Sequence, residues 1–167
     1  MTYTYKQLRE KVRSWIISVL PEDNEITRVI FANKNYTRPA LPYISVNMTS
    51  ISKVGQAYVP YDTAAGVRNV TYHEDFTVSI QSYGAETDVY LQTLKDSLQL
   101  EETRQYVRSL GLAIRNDNDI RNISIQIDSE IEERYLYEVF MGVAQDTQED
   151  VGYIEDVEIT ENYSPPS

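Results

Sequence analysis

The sequence predicts an α+β fold: a mostly antiparallel sheet with an N-terminal helix and a central helix pair packed on one face, and a long β-hairpin arm. Three observations carry that prediction. Apolar residues recur at helical spacing in the first twenty positions, a second helical stretch lies near the middle, and strand-like alternation fills the chain on either side. Helices clustered between runs of strands point to an antiparallel sheet covered on one face, rather than to alternating parallel units.

The first helix runs from Thr4 to Leu20. Leu8, Val12, Trp15, Ile16, Val19 and Leu20 make one stripe, Thr4 stands where an N-cap belongs, and Pro21 ends the run. Lys6 to Arg13 is locally basic, but Glu10 and the acidic balance of the chain argue against a helix that lies on a membrane. "TRVIFA", Thr27 to Ala32, reads as a short strand, and the polar "NKNYTRP" after it as a turn.

"RPALPYISVNMTSI" follows, with Pro39 and Pro42 directly ahead of a strand from Tyr43 to Ile51 that turns Ile44, Val46 and Met48 to one face. Prolines fix the backbone and withhold hydrogen-bond donors, so they set where the chain joins the sheet and guard that end against stray pairing. Alternation resumes at Val70 and continues through Tyr72, Phe76, Val78 and Ile80, interrupted by Glu74. Between these strands Lys53 to Arg68 is too long for a tight turn and carries the breakers Gly55, Pro60 and Gly66, so it reads as a projecting arm.

Leu91, Leu94 and Leu98 mark the second helix, and Glu101 to Leu110 a third that stops at Gly111. "RNDNDIRN" reads as a polar turn. Ile123, Ile125 and Ile127 alternate as a strand, and so does "RYLYEVFMGVAQ", with Tyr135, Tyr137, Val139, Met141 and Val143 in phase. "DTQEDVG" reads as a turn and "YIEDVEI" as a last strand carrying Tyr153, Val157 and Ile159. Residues 1–160 form one domain, with 161–167 a polar C-terminal tail.

Composition excludes several functions. The chain has 167 residues, no cysteine and a formal net charge of −11. Disulfides and thiolate metal sites are ruled out, and synthesis in a reducing cytoplasm is expected. Gripping nucleic acid calls for a basic stripe, which scattered lysines and arginines do not supply, although DNA could pass an acidic wall without being held. No apolar run is long enough to span a bilayer, and the N-terminal stretch lacks the apolar core of a secretion signal.

Catalytic signatures are missing too. The single histidine, His73, falls on the polar side of its strand, with no nucleophile elbow to serve. The acidic runs "EETRQ", "DSEIEE" and "DTQED" lack the spacing of a calcium loop, and the six glycines are dispersed. No catalytic residue, cofactor or metal is assigned. Tyrosine is the anomaly, at 14 against three phenylalanines and one tryptophan, and its amphipathic ring suits interfaces. In the arm, Gln56, Tyr58, Val59, Tyr61 and Arg68 combine aromatic rings with an arginine, the residue types that dominate binding energetics. They are the candidate assembly contacts, expected to be poorly ordered in a lone subunit.

Several segments resemble the phage neck-terminator or tail-terminator family of tailed bacterial viruses. They are "VIFANKNYTRPALPYISVNMTSI", "HEDFTVSIQSYG", "LKDSLQL" and "QDTQEDVGYIEDVEI", of which "RPALPYI" and "DVGYIEDVEI" are the more specific. The resemblance implies a non-enzymatic structural protein of the virion. It would form a homo-oligomeric ring, typically a hexamer, that caps the tail tube protein and docks to head connector or neck proteins, with DNA passing through its lumen. Another neck or tail ring component, such as a head-completion or tail-tube protein, is the alternative. A small hydrolytic or metal-dependent enzyme built on His73 is the rival from another class.

Overall fold

A computed structural model describes residues 2–20, 29–33, 37–60 and 67–150. Helix α1 (Tyr5–Val19) starts as the sequence predicts. Thr4 accepts a hydrogen bond from the Gln7 backbone, and the Gln7 side chain accepts one from the Thr4 backbone at 2.8 Å. Leu8, Val12, Trp15, Ile16 and Leu20 are buried along one stripe.

Strand β1 (Val29–Phe31) lies parallel to β2 (Tyr43–Tyr58), and β2 pairs antiparallel with β3 (Val67–Tyr83). Helices α2 (Asp88–Ser97) and α3 (Glu101–Ser109) follow. The chain then forms β4 (Leu112–Asp117), the two-residue β5 (Arg121–Asn122), a small separate hairpin of β6 (Ile125–Ile127) and β7 (Glu130–Glu132), and β8 (Arg134–Asp150). The main sheet has the order β1-β2-β3-β8-β4, with β5 also on β8.

Register explains the core. Val46 lies opposite Ile80 and Met48 opposite Val78, while Ile80, Val78 and Phe76 lie opposite Tyr137, Val139 and Met141. Because side chains alternate along each strand, these apolar rows share one sheet face. They join Trp15 and Ile16 of α1, Leu91 and Leu94 of α2 and Val107 of α3 in one continuous cluster. The helices therefore cover one face of the sheet, as expected. The other face carries Ser45, Asn47, Thr77, Ser79, Glu138 and Phe140 and has no helix on it among the described residues.

Four local expectations change. Lys53 to Tyr58, and the chain from Val67, are strand rather than open connection. "DTQED" continues β8 to Asp150 instead of turning the chain. The stretch read as a polar turn begins inside β4, and Ile125 and Ile127 sit in the side hairpin instead of the main sheet. The cause is shared: strands polar on both faces, or only three residues long, give no readable alternation, so ladder pairing with a neighbour decides them. "YIEDVEI", the 161–167 tail and Thr27–Arg28 lie outside the described residues.

Trp15 is fully buried, and its indole N–H has no hydrogen-bond partner among the described residues. Trp15→Ala should therefore destabilise the fold by about 3–5 kcal/mol in urea unfolding. Trp15→Phe should cost clearly less, because it removes an unpaired donor while keeping most of the ring.

Candidate assembly surface

The ribbon formed by β2, β3 and β8 has two halves. Its inner half carries the core. In its outer half, from Thr49 to Tyr58, every residue of β2 is exposed. Two irregularities interrupt the ladder between that strand and β3. Between Thr49 and Ser52, and again between Val54 and Tyr58, β2 uses more residues than its partner, with positive φ at Ser50 and Gly55. A Cβ on Gly55 would meet nothing, so its glycine answers to backbone angle alone.

Polar contacts brace this outer half. The Lys53 ammonium lies 4.4 Å from the Tyr72 ring centre. Thr71 donates to Asp146 at 2.8 Å, and Gln148 to Asn69 at 3.0 Å, tying β3 to β8. Buried Gln145 accepts from the Tyr3 backbone N–H at 2.7 Å, donates to the Tyr3 carbonyl at 3.2 Å, and reaches Glu74 at 3.0 Å. The residues ahead of α1 are thereby strapped across the base of the outer half.

The opposite end of the ribbon is held by an aromatic clamp. Tyr43 of β2 and Tyr83 of β3 stack with ring centres 4.5 Å apart and planes 9° apart. The Arg38 guanidinium sits 5.8 Å from Tyr43 and that of Arg134 5.1 Å from Tyr83. Glu132 bridges the two arginines: it pairs with Arg38, and with Arg134 at 3.1 Å. The hydrogen bond from Arg134 is the main cause that holds the Glu132 carboxyl below its ordinary value, with Arg38 adding to it. Burial pushes the Tyr83 phenol up, helped by its neighbour Tyr43. Gly84 follows at φ 119°, where a Cβ would come within 3.3 Å of Pro42. The Leu41–Pro42 peptide is cis. Pro42 thus seats the start of β2 against the end of β3.

Of the five candidate contacts, Gln56 and Tyr58 are exposed at the outer end of β2, with Tyr58 opposite Thr71. Val59 is half-buried just past that strand. Arg68 is exposed on β3 and stands opposite Glu149 in register. Tyr61 lies outside the described residues. Gln56 and Tyr58 on β2 and Arg68 on β3 thus stand on the two strands of the long β-hairpin, as expected, and Val59 lies just past β2. Sequence reasoning missed the third strand of that end, β8 beyond Gln145, because Asp146 to Asp150 is polar throughout. His73 is exposed between Val54 and Ala144. Among the described residues no three His, Asp or Glu side chains gather as metal ligands, and no helix is long and apolar enough to cross a membrane.

The sequence profile of the phage neck terminator protein family matches residues 6–164, nearly the whole chain. The chain belongs to the phage neck terminator family. The match includes α1 from its second residue, the full β2–β3–β8 ribbon and most of the segment after Asp150. Membership makes this a structural protein of the bacteriophage neck, at the end of the tail. No curated protein matches. One similar solved structure shares 17% identity over 84% of this chain and 95% of its own, at a TM-score of 0.39, a likeness too distant to bear on function.

Two outcomes test this geometry. A carboxyl held low when folded stabilises the fold above its unfolded value, about 4.3 for glutamate, and that contribution disappears as pH falls through the folded value. Glu132→Gln should therefore narrow the stability difference between pH 7 and pH 3, measured by denaturant unfolding. Gln145→Ala should cost about 1–3 kcal/mol and speed amide hydrogen exchange at Tyr3 and Thr4 by tenfold or more.

Proposed function

We propose that the protein assembles with copies of itself into a ring, a hexamer, at the head-proximal end of the tail. The ring stops growth of the tail tube, caps it, and presents a surface to the head connector. The observation that best supports this reading is the outer half of the ribbon. It is a braced, three-stranded extension that buries little apolar surface of its own yet displays Tyr58 at 69% exposure, with Ile51 and Val54 also exposed. A subunit that functioned alone would gain nothing from keeping such a structure in water.

The remaining features fit a scaffold rather than a catalyst. His73 stands exposed on a strand and the conspicuous polar clusters are structural braces, so we assign no enzymatic activity. Copies at −11 each repel one another, which sets a lower limit on the contact area a closed ring needs. The same charge lets DNA move through the lumen without adhering. Tail tube protein and connector are the partners on the two sides of the ring.

Tyr58→Ala combined with Arg68→Glu tests the reading. The purified variant should keep the wild-type circular dichroism and unfolding midpoint. In a phage lacking the wild-type gene, electron microscopy should show tails of irregular length without heads. Normal-length, head-joined tails would remove the ribbon end from assembly. Uncontrolled tail length would separate a terminator from a head-completion protein, whose loss leaves tail length unchanged.

A further inference from the structure

We propose that the free edge of the outer half of β2 receives β7, from the side hairpin of a second copy, as one more strand. This rests on the ring reading and names the contact that links one subunit to the next.

Both edges are open among the described residues. β1 pairs with β2 only from Ile44 to Val46, so beyond Met48 the strand has β3 on one side and no strand on the other. β7 pairs with β6 alone among the described residues. A two-stranded hairpin is marginally stable by itself in water, yet this one keeps Ile125 at 41%, Ile127 at 43% and Ile131 at 72% exposure. Unpaired strand edges flanked by exposed apolar side chains are templates for pairing with another chain.

Charge makes the two edges complementary. From Thr49 to Tyr58, β2 carries a single charged residue, Lys53, and no acid, in a chain whose formal net charge is −11. From Ile125 to Glu132 the hairpin carries Asp128, Glu130 and Glu132 and no base. Side-chain alternation agrees. Val54 lies opposite His73 and Tyr58 opposite Thr71, so both stand on one face of the ribbon, and Lys53 stands on the other. In β7, Ile131 points to one face and its neighbours Glu130 and Glu132 to the other. Setting Ile131 beside Val54 therefore puts the glutamates on the face of Lys53, in either strand direction. Glu132 is already held by Arg38 and Arg134, which leaves Glu130 for Lys53. Backbone hydrogen bonds supply the affinity of such a strand addition, and these side chains its register.

The two edges of one copy cannot meet. Val54 lies opposite His73, which lies opposite Ala144 on β8. Arg134, where β8 begins, is ten positions from Ala144, a distance of about 33 Å along the strand. Ile131 precedes Arg134 by three positions and reaches at most about 11 Å from it. The hairpin on a given β2 therefore comes from another copy, and the clamp end of one subunit meets the outer end of the next. That is a head-to-tail contact, and such contacts close into rings when the rotation allows.

The chain has no cysteine, so Val54→Cys with Ile131→Cys, both at exposed positions, introduces one reporter pair into the full-length protein. Oxidation should give a ladder of intermolecular disulfides that ends at the closed oligomer. An intrachain disulfide, or no disulfide, overturns the proposal. Lys53→Glu, and separately Glu130→Lys, should each weaken self-association at least tenfold in sedimentation velocity while circular dichroism stays unchanged. Both changes on one chain should restore it. Rings that persist unweakened in the single variants overturn this contact and leave the ring standing. Wild-type protein that stays monomeric, alone and with tail tube protein, overturns both.

Discussion

The structure depends on a mismatch of lengths. β3 and β8 pair without a break over seventeen residues, a ribbon of roughly 56 Å at strand rise. The longest helix available to cover it, α1, has fifteen residues and spans only about 22 Å. A helical layer of that size can bury one half of the ribbon and no more. The inner half becomes the core, and among the described residues the outer half carries no helix. The strap through Gln145 and the clamp at Tyr43 and Tyr83 then fix each half at its own end.

This division also decides what the sequence reveals. The inner half was legible because burial on one face writes a period of two: Ile44, Val46 and Met48, then Phe76, Val78 and Ile80, then Tyr137, Val139 and Met141. The stripe of α1 and its cap were legible for the same reason, with period 3.6. The outer half has no apolar buried face, so Lys53 to Tyr58 and Asp146 to Asp150 look like loop although they are held by a ladder. The clamp was hidden for another reason: Arg38, Tyr43, Tyr83, Glu132 and Arg134 are dispersed through the sequence and meet only once the sheet has formed. Pro42, read as marking where the chain joins the sheet, does so, but its contact with Gly84 could not be inferred from spacing. Of the candidate contacts, Gln56, Tyr58 and Arg68 lie where a partner could reach them, and their residue type was the only sequence signal for it.

Charge is distributed unevenly in the same architecture. Arg38 and Arg134 are committed to Glu132 and the tyrosine rings, and Lys95 to Asp119 at 2.7 Å. Cationic groups spent on internal bracing leave a surface dominated by carboxylates.

The two irregularities in β2 separate reach from register. Between Thr49 and Ser52 the strand carries one residue more than its partner, and between Val54 and Tyr58 it carries two more, while β3 and β8 stay in step throughout. Insertions and deletions in the outer part of β2 can therefore be absorbed at Ser50 and Gly55 without displacing a single row of the core. Length at the tip and alignment in the core are thus set by separate parts of one strand.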